Sequence, residues 1–280
     1  MHKAAWACVR AARSSRWRAE GGAGVQLAAN LSYLFTELPM MERFAAAREA
    51  GFTGIEIPFP YDLSARALHR AAEAEGLAFT AMACPPPNWA GGARGFAAEA
   101  GREARFRSDF VRALRFAEVL KARHIRIMAG TAEGAEAQAR LLDNLSWACQ
   151  RAPHASLLLE PTSHQAQPGA FLCDLDQAAA VVGEVGGPNL GLLFDVWHIQ
   201  ALTGDVLAAW DRVAPLVRHV QISGYPERAE PLAGVIDFPA LFARMRATRF
   251  GGWVVAEYAP ARGTQAGLGW MAVARGLIGT

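Results

Sequence analysis

Four short apolar runs each end on a polar side chain, and the spacing of those ends limits the fold more than any other feature of the chain. Residues 156–160 read SLLLE, 191–195 GLLFD, 217–221 VRHVQ and 253–257 WVVAE. Runs this short and this apolar belong to strands buried on both faces, as in a parallel sheet covered by helices. The ends fall at Glu160, Asp195, Gln221 and Glu257. Each interval is close to the ~30 residues that a strand, a helix and their loops occupy. Four polar side chains from four successive strands thus converge at the carboxyl end of a parallel barrel, where such folds place their chemistry.

The rest of the chain continues the alternation. Strands are expected at 25–30, 54–58, 77–83 and 124–128 ahead of the four above. Helices are expected at 40–50, from an N-cap at Ser64 through 75, and at 101–121, 136–151, 175–185, 206–214, 238–248 and 267–278. Eight strands, each followed by a helix, predict a single α/β domain of (β/α)8 TIM-barrel type, and 280 residues suit one such barrel. No GxGxxG or GxxxxGK loop follows the first strand, which argues against a nucleotide-binding doubly wound sheet. The barrel is expected over 25–280. Residues 1–24 carry Arg10, Arg13, Arg16 and Arg18 with no acid before Glu20. They read as an extension or an upstream start, with an Arg-rich targeting peptide as the other possibility.

Composition narrows the function classes. Hydrophobic residues at 52% against 19% charged fill a large core and exclude a disordered chain. A net charge of +2 gives no bulk attraction to nucleic acid or to a membrane surface, and no apolar run approaches the ~20 residues of a span. Cys8, Cys84, Cys149 and Cys173 are scattered without CxxC spacing. They read as free thiols of a cytoplasmic protein, not as a disulfide frame or a zinc site.

The four strand ends offer three carboxylates and one amide oxygen. These hard donors suit Mg²⁺ or Mn²⁺ better than zinc or copper, and three like charges in a small space need a cation to remain ionised. Any one of them alone fits a helix cap or a loop-orienting role; four on successive strands favour a metal or acid–base site. His198, three residues after Asp195, is placed to hold a substrate hydroxyl, to orient a ligand or to cap the segment that follows. His164 lies four residues after Glu160, and His219 shares the inward parity of Gln221 as a ligand or as a satisfied core histidine. Arg228 and Glu230, after the seventh strand, stand where a guanidinium clamps a substrate carboxylate, or else form a solvated surface pair. Trp89 and Trp197 wall a pocket or simply pack the barrel mouth. Two carboxylates flanking a divalent ion suit a proton shift between adjacent carbons. One takes a proton α to a carbonyl, and the other returns a proton to the neighbouring carbon of the enediolate.

The stretches AANLSYLFTELP, GFTGIEIPFPYD, LEPTSH, FDVWHIQ, HVQISGYPERAEP and GGWVVAEYAP, in this order, resemble the hydroxypyruvate isomerase family of xylose-isomerase-like barrels. The resemblance runs from about Leu27 to Trp270. It implies a TIM barrel that interconverts hydroxypyruvate and 2-hydroxy-3-oxopropanoate, a small hydroxy-oxo acid substrate. By motif position it implies Glu160 and Glu257 as proton donor and acceptor, with Asp195 and Gln221 completing the metal set. Two loops depart from the family pattern. After the third strand Asn88 and Ala93 stand where the family has acids. After the seventh, Gly224 replaces an acid, Ala229 a histidine, and Leu232, Ala233 and Val235 fall in a GTGE segment. Arg228 and Glu230 are retained.

Three other readings stand beside this one, and the departures bear on the first two. One is the same chemistry on a related substrate, a 2-oxo-tetronate or a ketose, including 3-epimerisation. Another is a sugar-acid-binding barrel without turnover. The third, a DNA-repair endonuclease of the same superfamily, needs a histidine-rich zinc cluster and a basic face. The chain has only seven histidines, and Gln221 stands where a metal-binding histidine would be needed.

Overall fold

The computed structural model describes residues 24–84 and 95–278. Nine parallel segments make one sheet that curves nearly to closure: β1 Gln26–Asn30, β2 Gly54–Glu56, β3 Ala78–Phe79, β4 Ala81–Ala83, β5 His124–Ile127, β6 Ser156–Leu159, β7 Leu190–Asp195, β8 Val217–Ile222 and β9 Trp253–Ala256. Their spatial order is β3-β2-β1-β9-β8-β7-β6-β5-β4. The single third strand expected over 77–83 is therefore two pieces, β3 paired with β2 and β4 paired with β5. Thr80 is the joint. Its backbone N–H and its hydroxyl both donate to the Ile55 carbonyl, at 2.8 and 3.0 Å, while its own carbonyl accepts from His124 N. One residue thus bonds to the strands on either side and closes the ring.

The helices follow the expected alternation: α1 Arg43–Glu49, α2 Ala65–Ala74, α3 Glu103–Leu120, α4 Ala135–Arg151, α5 Leu175–Val185, α6 Val196–Thr203, α7 Val206–Val213, α8 Phe238–Ala247 and α9 Trp270–Ile278. Ser64 caps α2 through its hydroxyl, as its position predicts. Asp174 and Asp205 do the same for α5 and α7. Helix α6 is the element the sequence reading lacks. VWHIQALT is apolar nearly all round, so it shows no amphipathic stripe, and its first four residues are buried in the barrel rim.

Outward side chains of the strands, among them Leu27, Ile55, Ile125, Leu157, Leu192, Val220 and Val254, join the helices in the main core. The inward face is different. Ala28, Trp253 and Val255 form their own small apolar cluster inside the ring, and the remaining inward positions toward the carboxyl end are largely polar. Gly54 makes this possible, because a Cβ there would stand 2.6 Å from the Trp253 ring. Between β7 and β8 the register slips by one residue, Leu192 facing Val217 and Leu193 facing His219. The slip sets Asp195 directly beside Gln221. No helix of the described residues is long and apolar enough to cross a membrane, and Cys84, Cys149 and Cys173 are free thiols.

Candidate active site at the carboxyl end of the barrel

Glu160 follows β6, Asp195 ends β7, and His198 lies on the first turn of α6. One ligating atom from each lies within 4.8 Å of the others, and all three residues are buried. Asp195 fills both roles that its position allows. Its Oδ1 caps α6 by accepting from the Trp197 and His198 backbone N–H groups at 2.8 and 3.3 Å. Its Oδ2 faces the site, 2.8 Å from Arg228 Nη2 and 3.7 Å from His198 Nε2. The Ser163 backbone N–H is directed at His198 Nδ1, at 3.2 Å. That contact favours the tautomer with its proton on Nε2, directed at Asp195 and at Glu160 Oε1, 4.0 Å away.

Two guanidinium groups sit among the carboxylates. Arg126 of β5 donates to Glu160 Oε2 at 2.8 Å. Arg228 bridges Asp195 and Glu257, donating from Nη2 to the first at 2.8 Å and to the second at 3.0 Å. It is held between the rings of Trp197 and Tyr33, at 5.2 and 5.8 Å, and takes the left-handed backbone conformation, φ 56°. Burial works against the Arg228 charge, yet the adjacent Asp195 and Glu257 carboxylates hold its pKa above the usual guanidinium value. Glu257 feels the reverse. Burial pushes its carboxyl up to about 8, Arg228 opposes the rise, and Glu56 and Asp195 reinforce it.

Beneath this ring lies a fourth carboxylate, Glu56, at the end of β2. Its Oε2 meets His219 Nε2 at 2.7 Å, and its Oε1 accepts from the Gln221 amide and more distantly from Asn30 Nδ2. Asn30 also donates to Glu257 Oε2 at 2.8 Å. His219 is thus fully buried and paired with Glu56, which puts it beneath the ring with its Nδ1 unpaired.

Buried polar groups in folded proteins are nearly always paired. Seven buried side-chain atoms lack a hydrogen-bond partner among the described residues, and five of them belong to Glu160, His219, Gln221, Ser223 and Arg228. Glu160 Oε1 and Gln221 Oε1 are bare acceptors, and Arg228 Nε is a bare donor. Oxygen acceptors beside Asp195 fit a hard divalent cation, and a guanidinium N–H fits an anionic oxygen of a ligand.

The other expected residues are placed differently. Glu230 turns away from Arg228 and accepts from Ala261 N at 3.0 Å. It lines a separate outer cavity of about 360 Å³ with Leu232, Arg262 and Trp270. His164 is exposed on the loop after β6, whereas Trp197 is buried and walls the mouth against Arg228. Trp89, Asn88 and Ala93 lie outside the described residues, as does the 1–24 extension apart from Gly24. Sequence reasoning missed Glu56, Asn30, Arg126 and Tyr33. The signal for Glu56 was weaker, since GIE is a short apolar run that reaches an acid but continues through Ile57 before Pro58. Arg126 and Asn30 share the inward parity of His124 and Ala28, but nothing in the local pattern separates them from surface residues.

Comparison with known proteins agrees with this architecture. The family described as xylose isomerase-like TIM barrel matches residues 44–273. The 2-oxo-tetronate isomerase of Cupriavidus necator is 40% identical over 252 residues, covering 88% of this chain and 97% of that one. The hydroxypyruvate isomerase of Escherichia coli is 35% identical over 253 residues, covering 88% and 98%. A solved structure from Brucella melitensis, described as an AP endonuclease of family 2, superposes with a TM-score of 0.85 at 36% identity, covering 89% and 98%. The chain is therefore a member of the xylose isomerase-like TIM-barrel family, within its hydroxypyruvate and 2-oxo-tetronate isomerase branch.

Proposed function

We propose that this chain isomerises a short 2-oxo-3-hydroxy acid by moving a proton between C3 and C2, with a divalent cation, Mg²⁺ or Mn²⁺, in its site. The observation that carries the proposal is that Glu160 Oε1, Gln221 Oε1 and Arg228 Nε are buried without partners, on residues that neighbour Asp195 in the cluster, in the sheet register and by hydrogen bond. Glu160, Asp195, Gln221 and Glu257 would hold the cation, with His198 beside them. When bound, a divalent cation supplies positive charge that stabilises an enediolate and lowers the acidity barrier at the adjacent carbon.

The residues of the chain do the rest. The N–H groups of Arg228 and of His198 Nε2 orient substrate oxygens, and Arg126 holds Glu160 by its Oε2 so that Oε1 is the free oxygen. Glu160 and Glu257 lie on strands three apart in the ring and approach the substrate from different directions. One removes the C3 proton, and the other delivers a proton to C2. Trp197, Tyr33 and the buried rim limit water around the enediolate.

Hydroxypyruvate and a 2-oxo-tetronate share this reacting fragment and differ by one CH₂OH group. The relative at 40% identity is named for the four-carbon acid. Together with the altered loop after β8, this makes 2-oxo-tetronate the favoured substrate and hydroxypyruvate the second. A nuclease role is disfavoured by the small net charge and by a buried cluster, Glu160, Asp195 and His198, that holds a single histidine. Incubating the purified chain with each acid, with Mg²⁺ and then with EDTA, and following proton NMR, tests the proposal. Conversion of neither acid would reject it.

A further inference from the structure

Gln221 makes a useful ligand only if its amide oxygen, not its nitrogen, faces the cation, and an amide by itself has no such preference. The structure assigns that choice to Glu56, as a positioning residue that fixes the Gln221 amide with its oxygen toward the cation site. The inference rests on the cation reading above. A carboxylate only accepts, so the Gln221 group that meets Glu56 Oε1 is the NH₂, and Oε1 is turned the other way. That oxygen is buried and has no donor.

Glu56 is not itself placed as a ligand. Its Oε1 takes Gln221 Nε2 and Asn30 Nδ2, and its Oε2 takes His219 Nε2. Asn30 in turn holds Glu257 Oε2, so two of the four proposed ligands are oriented from the same carboxylate. The three donors come from β1 and β8, on both sides of β9, and Glu56 itself is only 2% exposed. Burial of this carboxylate costs desolvation energy that the hydrogen bonds it accepts offset, and the same bonds orient the site residues that donate them.

The test uses Mn²⁺ as the probe, with isothermal titration calorimetry on the full chain and thermal unfolding of the cation-free protein in parallel. Glu56→Met removes the acceptor at nearly constant volume and leaves the Gln221 amide free to turn, so Mn²⁺ affinity should fall at least tenfold. Glu56→Met with Gln221→Glu moves the carboxylate to position 221, where both faces carry oxygen, and affinity should return to within about threefold of wild type. Glu56→Asp keeps the charge and withdraws the acceptor by one methylene; it should weaken binding in the same direction even if the methionine variant does not fold. Wild-type affinity in Glu56→Met and Glu56→Asp, or a double variant as weak as the single, overturns the role given to Glu56. A wild-type chain that takes up no Mn²⁺ overturns the cation reading first, and this inference with it.

Discussion

Replacing Glu257 with glutamine should separate catalysis from stability. Glu257 accepts from Arg228 Nη2 at 3.0 Å and from Asn30 Nδ2 at 2.8 Å. An amide keeps one acceptor and presents an NH₂ to the other donor, so one hydrogen bond is lost, worth about 1–2 kcal/mol. The large cost of an unpaired buried charge does not apply near neutral pH. Burial pushes the carboxyl up to about 8 in the cation-free protein, so its charged form is already disfavoured there. The melting temperature should therefore fall by only a few degrees. Turnover should fall far more, because a positioned acid or base contributes about 10²–10⁴ in rate, or roughly 3–5 kcal/mol of barrel-site chemistry. The assay is initial rate with saturating Mg²⁺, so that weaker cation binding does not mimic lost proton transfer, alongside calorimetric unfolding with EDTA. Turnover within tenfold of wild type, or a collapse in stability with no separate loss in rate, would refute the reasoning.

The pH dependence of stability follows from the same group. In the cation-free protein the Glu257 carboxyl titrates near 8 against 4.5 when unfolded, so the unfolded chain releases its proton first. Stability contributed by this group should fall as pH rises from about 4.5 to about 8, and stabilisation by added Mn²⁺ should grow over that window; unfolding scans across it check both. Arg228→Met keeps a side chain between Trp197 and Tyr33 but leaves Asp195 and Glu257 without their shared donor. It should cost about 3 kcal/mol in the cation-free protein, with a larger Mn²⁺-dependent recovery than in wild type, read by thermal unfolding. Gly54→Ala places a methyl 2.6 Å from Trp253 and 2.8 Å from Thr80 Cγ2. Overpacking inside the ring should cost about 1–3 kcal/mol, measured by denaturant unfolding.

The strand ends were legible because a run such as LLFD has no local reason to finish on a carboxylate unless that carboxylate is used. The same logic reached Glu160, Asp195, Gln221 and Glu257, and the helix caps at Ser64 and the helix over 175–185 followed from short-range chemistry. What the sequence hid was pairing at long range. Arg126 and Glu160 are 34 residues apart and Asn30 and Glu257 are 227 apart, and no local pattern announces either contact. Helix α6 was hidden for another reason, since its buried, all-round apolar surface lacks the period that marks a helix. The division of the third strand at Thr80 depends on ring closure, a property of the whole sheet.

The most direct test of the central claim is isomerisation in D₂O with Mg²⁺, followed by proton NMR of the product from 2-oxo-tetronate and from hydroxypyruvate. If Glu160 removes one proton and Glu257 delivers another, or the reverse, solvent deuterium should appear at C2 of the product, and EDTA should stop the conversion. Conversion that leaves C2 free of deuterium would contradict the two-glutamate route, and conversion that persists in EDTA would contradict the role of the cation.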